Sequence, residues 1–232
     1  MKKIGLIGAY DKTDLILYVA KILTVLGKKV LVIDSTINQK ARYIVPVINP
    51  TLKYVTEFEE IDIAVGFENI QDIKNYLGIS ENQNMEYDIA LIDTDDIEGF
   101  NSFRLEQAEK NYFVTSFDNY SLKKGLEVLS GLKNPISLTK VIFSKEMLKE
   151  DDDYLNFLSL GYKVIWNEYR LYFPMDNGDL SVIYENQRVA KIKLKKLSVQ
   201  YKDGLAYLAE EILGDVSESN VRRAIKNIER GV

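Results

Sequence analysis

The chain has 232 residues, 46% of them hydrophobic, and a formal net charge of −5. That suits one large α/β domain with an ample core and argues against nonspecific nucleic-acid binding by the whole surface. Neither cysteine nor histidine occurs. Disulfides, thiolate or histidine metal sites and Ser-His or Cys-His nucleophile pairs are therefore excluded, and any catalysis must run on lysine, carboxylates, hydroxyls or backbone dipoles.

In chain order, Lys3 to Ile7 reads as a strand that runs into the loop Gly8-Ala9-Tyr10-Asp11-Lys12-Thr13. A helix is expected from Asp14 to Leu26, because Leu15, Tyr18, Val19, Ile22, Leu23 and Leu26 recur at three and four residues and share one face. A second strand, Lys29 to Ile33, ends in Asp34. From 42 to 67 aromatic and β-branched residues dominate, around Pro46 and a Pro50 turn, which predicts an extra strand or hairpin rather than a helix, with Pro46 on an edge. Further strands are expected at Asp88 to Ile92, closed by Asp93, and at Tyr112 to Thr115, Lys140 to Phe143 and Lys163 to Trp166. Further helices are expected at Leu122 to Leu132 and Leu197 to Leu213, with a turn at Phe173-Pro174-Met175-Asp176 before a helix at Leu180 capped by Asp179. Lys145 to Asp153 reads as an acidic loop. Apolar runs alternating with amphipathic helices predict an α/β fold, a doubly wound, mostly parallel sheet with helices on both faces. Residues 1–215 read as one domain and 216–232 as a C-terminal amphipathic tail. No stretch reaches the roughly 18 to 20 apolar residues of a membrane span, and the opening residues do not read as a secretory signal. The expected location is cytoplasmic.

Strand, loop, helix, strand and Asp34 together resemble the MinD/ParA family of deviant P-loop ATPases, whose loop reads Lys-Gly-Gly-x-Gly-Lys-[Ser/Thr]. The resemblance implies that Gly8 is the first loop glycine, Lys12 the phosphate lysine and Thr13 the magnesium hydroxyl. It implies that Asp34 positions or activates the attacking water together with catalytic Lys12, that Asp93 holds magnesium, and that Pro174 and Asp176 lie near the base. The cofactor so implied is ATP or ADP with Mg, or none if the loop has lost its chemistry. Three departures stand out. Ile7 replaces the signature lysine, Ala9 and Asp11 replace glycines, and Ser144 replaces the adenine-reading asparagine. A Cβ hinders close phosphate approach, and the Asp11 carboxylate repels polyphosphate by about 1 kcal/mol in water at 4 Å and by several at lower dielectric. Lys12 is either a remnant of a working site or a solvated charge, with Asp11 or Thr13 capping the helix. Asp11, Asp34, Asp93 and Asp95 against the single cation Lys12 would suit a divalent cation better than a polyphosphate.

The resemblance implies action through a protein partner, in positioning or assembling an envelope machine of pilus or secretion type, with hydrolysis lost or weak. The alternative is an active, ATP-dependent dimeric switch, with DNA partitioning among its uses. Without the lysine at position 7 the expectation is a monomer, or a homodimer built on another surface such as residues 42–67. Six basic residues from Arg188 to Lys202, with no acidic ones between them, are a DNA patch or, more commonly, a solvated face. The tail lacks the aromatic and leucine bulk of membrane-binding helices, and is expected to be mobile or partner-bound.

Overall fold

The computed structural model describes residues 1–48, 51–145 and 149–231. The Pro50 turn, residues 146–148 and Val232 lie outside them. Eight strands form one sheet in the order β3-β4-β2-β5-β1-β6-β7-β8, where β1 is Lys2–Ile7, β2 Val30–Asp34, β3 Tyr54–Phe58, β4 Ile61–Val65, β5 Ile89–Thr94, β6 Lys110–Ser116, β7 Ile136–Ser144 and β8 Val164–Pro174. Every pairing is parallel except the edge pair β3–β4.

The apolar runs form strands because both sheet faces are covered, and the pleat sends alternate residues to opposite cores. Ile4, Leu6, Val30, Val32, Ile89 and Leu91 face one core, and Ile7, Leu31, Ile33, Ala90 and Ile92 the other. The first core is roofed by α1 (Thr13–Val25), α7 (Asn177–Val189), α8 (Val199–Leu213) and α9 (Glu218–Arg230). The second is roofed by α3 (Ile70–Tyr76), α4 (Ile97–Ser102), α5 (Asn119–Ser130) and α6 (Lys149–Leu158). This is the doubly wound architecture expected from the sequence.

Five details differ from the expectations, the last of them the tail. The 42–67 segment does carry a hairpin, β3–β4, but Ala41–Ile44 is one turn of helix (α2) and Pro46 is in no strand. Local β-propensity yields there to Arg42, whose guanidinium donates to the carbonyls of Thr51 and Leu52 and to the Gln39 side chain. Much of the acidic loop is helix α6. Asp152 turns inward onto Lys140 of β7, so a buried ion pair sits where helical periodicity would show an apolar residue. The Phe173–Pro174 segment ends β8 rather than forming a turn, and Pro174 is tolerated because β8 is an edge. Asp176, not Asp179, caps α7, accepting from the Gly178 N–H at 2.5 Å, while Asp179 is buried and takes Ser198 N–H and Oγ.

The tail is packed on the domain. It forms α9, and Val221, Ala224, Ile225 and Ile228 pack into the core it shares with α1 and α8.

Candidate functional site

Parallel strands converge their C-terminal ends, and an open sheet forms its crevice where the strand order reverses. Here β1 lies between β5 and β6, so the loop after β1 meets the ends of β5 and β2. Asp34 and Asp93 are register partners on neighbouring strands.

Gly8 opens the loop with φ +135°, a region other residues avoid, and a Cβ there would lie 2.2 Å from the Val114 carbonyl. This glycine is thus required by the approach of β6. Ala9, Tyr10 and Asp11 have no positive φ, so the loop does not need the missing glycines to take the path it takes.

Lys12 is not a solvated charge. It is 2% exposed, and its Nζ donates to the Gly8 carbonyl at 2.5 Å and pairs with Asp93 Oδ1 at 2.7 Å. Asp93 is 3% exposed. Burial pushes its carboxyl up to about 7; Lys12 opposes this, while Asp34 and Asp95 add to it. The Thr13 N–H donates to Asp11 Oδ1 at 3.3 Å, so Asp11 turns its carboxylate onto the start of α1. The other Asp11 oxygen pairs with the Lys40 ammonium. Burial holds Lys40 below the usual lysine range.

Asp34 is committed to the fold. One oxygen accepts from Thr36 N–H at 3.0 Å and Thr36 Oγ1 at 2.6 Å, the other from the buried Ala41 N–H at 2.9 Å. These bonds fold residues 35–41 back over the crevice and bring Lys40 to it. Asp95 accepts from Ile37 N–H at 2.9 Å, and burial raises its carboxyl.

Gly8, Lys12, Thr13, Asp93, Asp11, Lys40 and Asp95 line one cavity of about 120 Å³. Tyr10, Asp11 and Lys40 also line a second cavity of about 160 Å³ with Pro174 and Phe143. Beyond it a groove of about 1110 Å³ runs along β8 and α8 and includes Pro174 and Asp176. Tyr10, Asp11 and Lys40 thus form a partition across the crevice. Tyr10 stacks on Phe143 with centroids 4.6 Å apart, and burial, then Asp118 and Tyr184, push its hydroxyl up to about 12.

The structure therefore brings Gly8, Lys12, Thr13, Asp34 and Asp93 together. It sets Pro174 one cavity away, and directs Asp176 to the outer groove with its carboxylate in a helix cap. The crevice holds two cations rather than one, each paired with its own aspartate. Among the described residues no group of three or more carboxylates is arranged to hold a metal. Thr13 and Asp93 on one cavity fit a magnesium that keeps its waters and arrives with phosphates. Lys40 escaped the sequence reading because the Asp34–Ala41 bond, not any local pattern, puts it there.

The six basic residues do not form one patch of free charge. Lys191, Lys196 and Lys202 pair with Glu59, Glu185 and Glu229. No described helix is long and apolar enough to cross a membrane.

No protein-family model matches the chain, and no curated protein is similar to it in sequence. Solved structures are similar to it in fold. The MinC:MinD cell division protein complex of Aquifex aeolicus contains a chain with TM-score 0.60 and 15% identity, over 94% of this chain and 97% of that one. An ATP complex of a McdA variant from Cyanothece gives 0.57 at 11% identity, over 94% and 98%. The ParA family ATPase of Chlorobium tepidum TLS gives 0.52 at 13%, over 98% and 97%. The chain has the MinD/ParA fold over nearly its whole length.

Proposed function

We propose that this chain, built on the fold of the MinD and ParA ATPases, works in the cytoplasm mainly by binding another protein, with nucleotide hydrolysis lost or weak. The observation that carries this is the loop's charge state. Its buried cation, Lys12, faces inward to Asp93 and the Gly8 carbonyl, and the anion at the start of α1 is the chain's own Asp11. The catalytic candidate Asp34 accepts three hydrogen bonds that hold its own loop, which leaves it poorly placed to turn a water. Ile7 supplies no cation for a transition state whose charge-stabilising groups are worth roughly 10³ to 10⁵ in rate. Were Mg-ATP to enter, Lys12, Lys40 and Thr13 would face its phosphates, Thr13 and Asp93 the magnesium, and Pro174 the side toward the base. Assignment to an envelope assembly machine follows from family resemblance, and the MinC:MinD complex gives a precedent for a protein partner on this fold.

Calorimetric titration with Mg-ATP tests the reading. The expected result is no heat at nucleotide concentrations up to millimolar. Micromolar binding that disappears in Lys12→Met, with the fold intact, would overturn it in favour of an ATP-switched protein.

A further inference from the structure

We propose that the Asp11–Lys40 ion pair is a removable intramolecular occupant of a phosphate site, and that Lys40 is the cation that meets a phosphoryl ligand once Asp11 has left. This deepens the reading that the native loop disfavours nucleotide by naming the group that opposes it; the opposition by Asp11 is measured against wild type whether wild type binds weakly or not at all.

The geometry separates the two lysines. Lys12 Nζ is closed in by a carbonyl and a carboxylate at 2.5 and 2.7 Å and is almost wholly buried. Lys40 reaches the loop from the far side of the crevice, its side chain 37% exposed, and lines both inner cavities. Its partner Asp11 is 47% exposed at the side chain. Asp11 does there what a phosphate oxygen does at a helix start, accepting the Thr13 N–H while a cation closes on it. The site around it has phosphate chemistry: the Thr13 hydroxyl and amide, the buried Lys12–Asp93 pair, and Lys40 at the mouth. The cavity that remains is about 120 Å³, below the roughly 300 to 1,000 Å³ usual for a small-molecule site. Tyr10, Asp11 and Lys40 form the wall between it and the next. Withdrawing Asp11 removes one like charge, frees Lys40 and opens that wall in a single movement. A loop with only steric blocks would need no counter-cation opposite Asp11.

The test uses the full chain, with Mg-ATP and, separately, inorganic pyrophosphate as probes in calorimetric titrations. Asp11→Asn and Asp11→Gly should each bind both probes about tenfold or more tighter than wild type, the scale of removing one like charge a few Å from the ligand at a partly buried site. Asp11→Asn with Lys40→Ala should lose that gain, and Asp11→Asn with Lys40→Arg should keep it. The proposal is overturned if both folded Asp11 variants bind no tighter than wild type, or if the gain survives Lys40→Ala. Micromolar binding by wild type with a further tenfold gain in Asp11→Asn would sink the interaction-only function and support this one. The same wild-type binding with no gain would sink both.

Discussion

At the residue scale the Lys12–Asp93 pair has a measurable consequence. A carboxyl raised by burial favours the folded state most when protonated. The unfolded Asp93 releases its proton near 3.8 and the folded one near 7, so between these values the folded state holds a proton the unfolded state lacks. Stability from this group is complete below the unfolded value and is lost as pH rises to about 7. Asp14, pushed up to about 6 by burial against the opposing Gln187 hydrogen bond, acts in the same direction over a narrower range. Each tenfold change in proton affinity is worth about 1.4 kcal/mol, so Asp93 contributes a decline of a few kcal/mol. The chain has no histidine to obscure this window. Urea unfolding at pH 5 and pH 8 should show wild type losing more stability than Asp93→Asn; equal losses would remove the buried acid from the account.

Among the elements, α9 is the one whose meaning changed most. Its apolar stripe is short and its flanks are basic, which reads as a tail, yet Val221, Ala224, Ile225 and Ile228 are buried against α1 and α8. Arg222 pairs with Asp203 of α8 and with Glu218. Ile225→Ala should therefore cost about 2 to 4 kcal/mol by urea denaturation, whereas a solvent-facing tail would lose almost nothing. The elements also show what the sequence could convey. Strands β1, β2 and β5 were legible because both faces are buried and their runs are unbroken. The second half of β8 was not. It follows an exposed stretch, Asn167 to Arg170, on an edge strand, and there β8 advances four positions, Trp166 to Arg170, while β7 advances two, Leu138 to Lys140. Helix α6 was hidden because Lys140, over the Trp166 ring and bonded to Asp152 and Asn156, replaces part of an apolar contact with a polar one. In the site, Lys12, Thr13, Asp34 and Asp93 were placed by strand ends, which local pattern reveals. Their roles were not, because Lys12 burial and the Lys40 approach depend on bonds between residues distant in sequence.

On the scale of the whole molecule, the hairpin edge is fastened rather than loose. A Cβ on Gly66 would meet the Leu52 carbonyl at 2.1 Å, and Gly66 has φ +84°, so the 51–53 segment lies directly on the end of β4 with Arg42 holding it. The exposed apolar groups Ile37, Tyr43, Ile48 and Leu52 lie in this β2–β3 connection. On the reading proposed above, with Ile7 supplying no cation and Asp11 closing on Lys40, association should not respond to ATP. Sizing by light scattering should give the same mass with and without Mg-ATP. An ATP-dependent doubling would contradict the function proposed above.

The ring stack of the crevice has one more consequence. Tyr10 lies on Phe143, Phe143 on Phe173, and Phe173 meets Tyr201 edge-on. Trp166, the chain's one tryptophan, packs against Phe113 with the other core. The loop therefore carries its own chromophore, fixed in an asymmetric stack and separated by the sheet from the brightest fluorophore. Withdrawal of the loop would change the share of Tyr10, one of fifteen tyrosines, in the near-ultraviolet circular dichroism without touching the surroundings of Trp166, so wild type and Tyr10→Leu compared by that signal would follow the loop after β1 without a label.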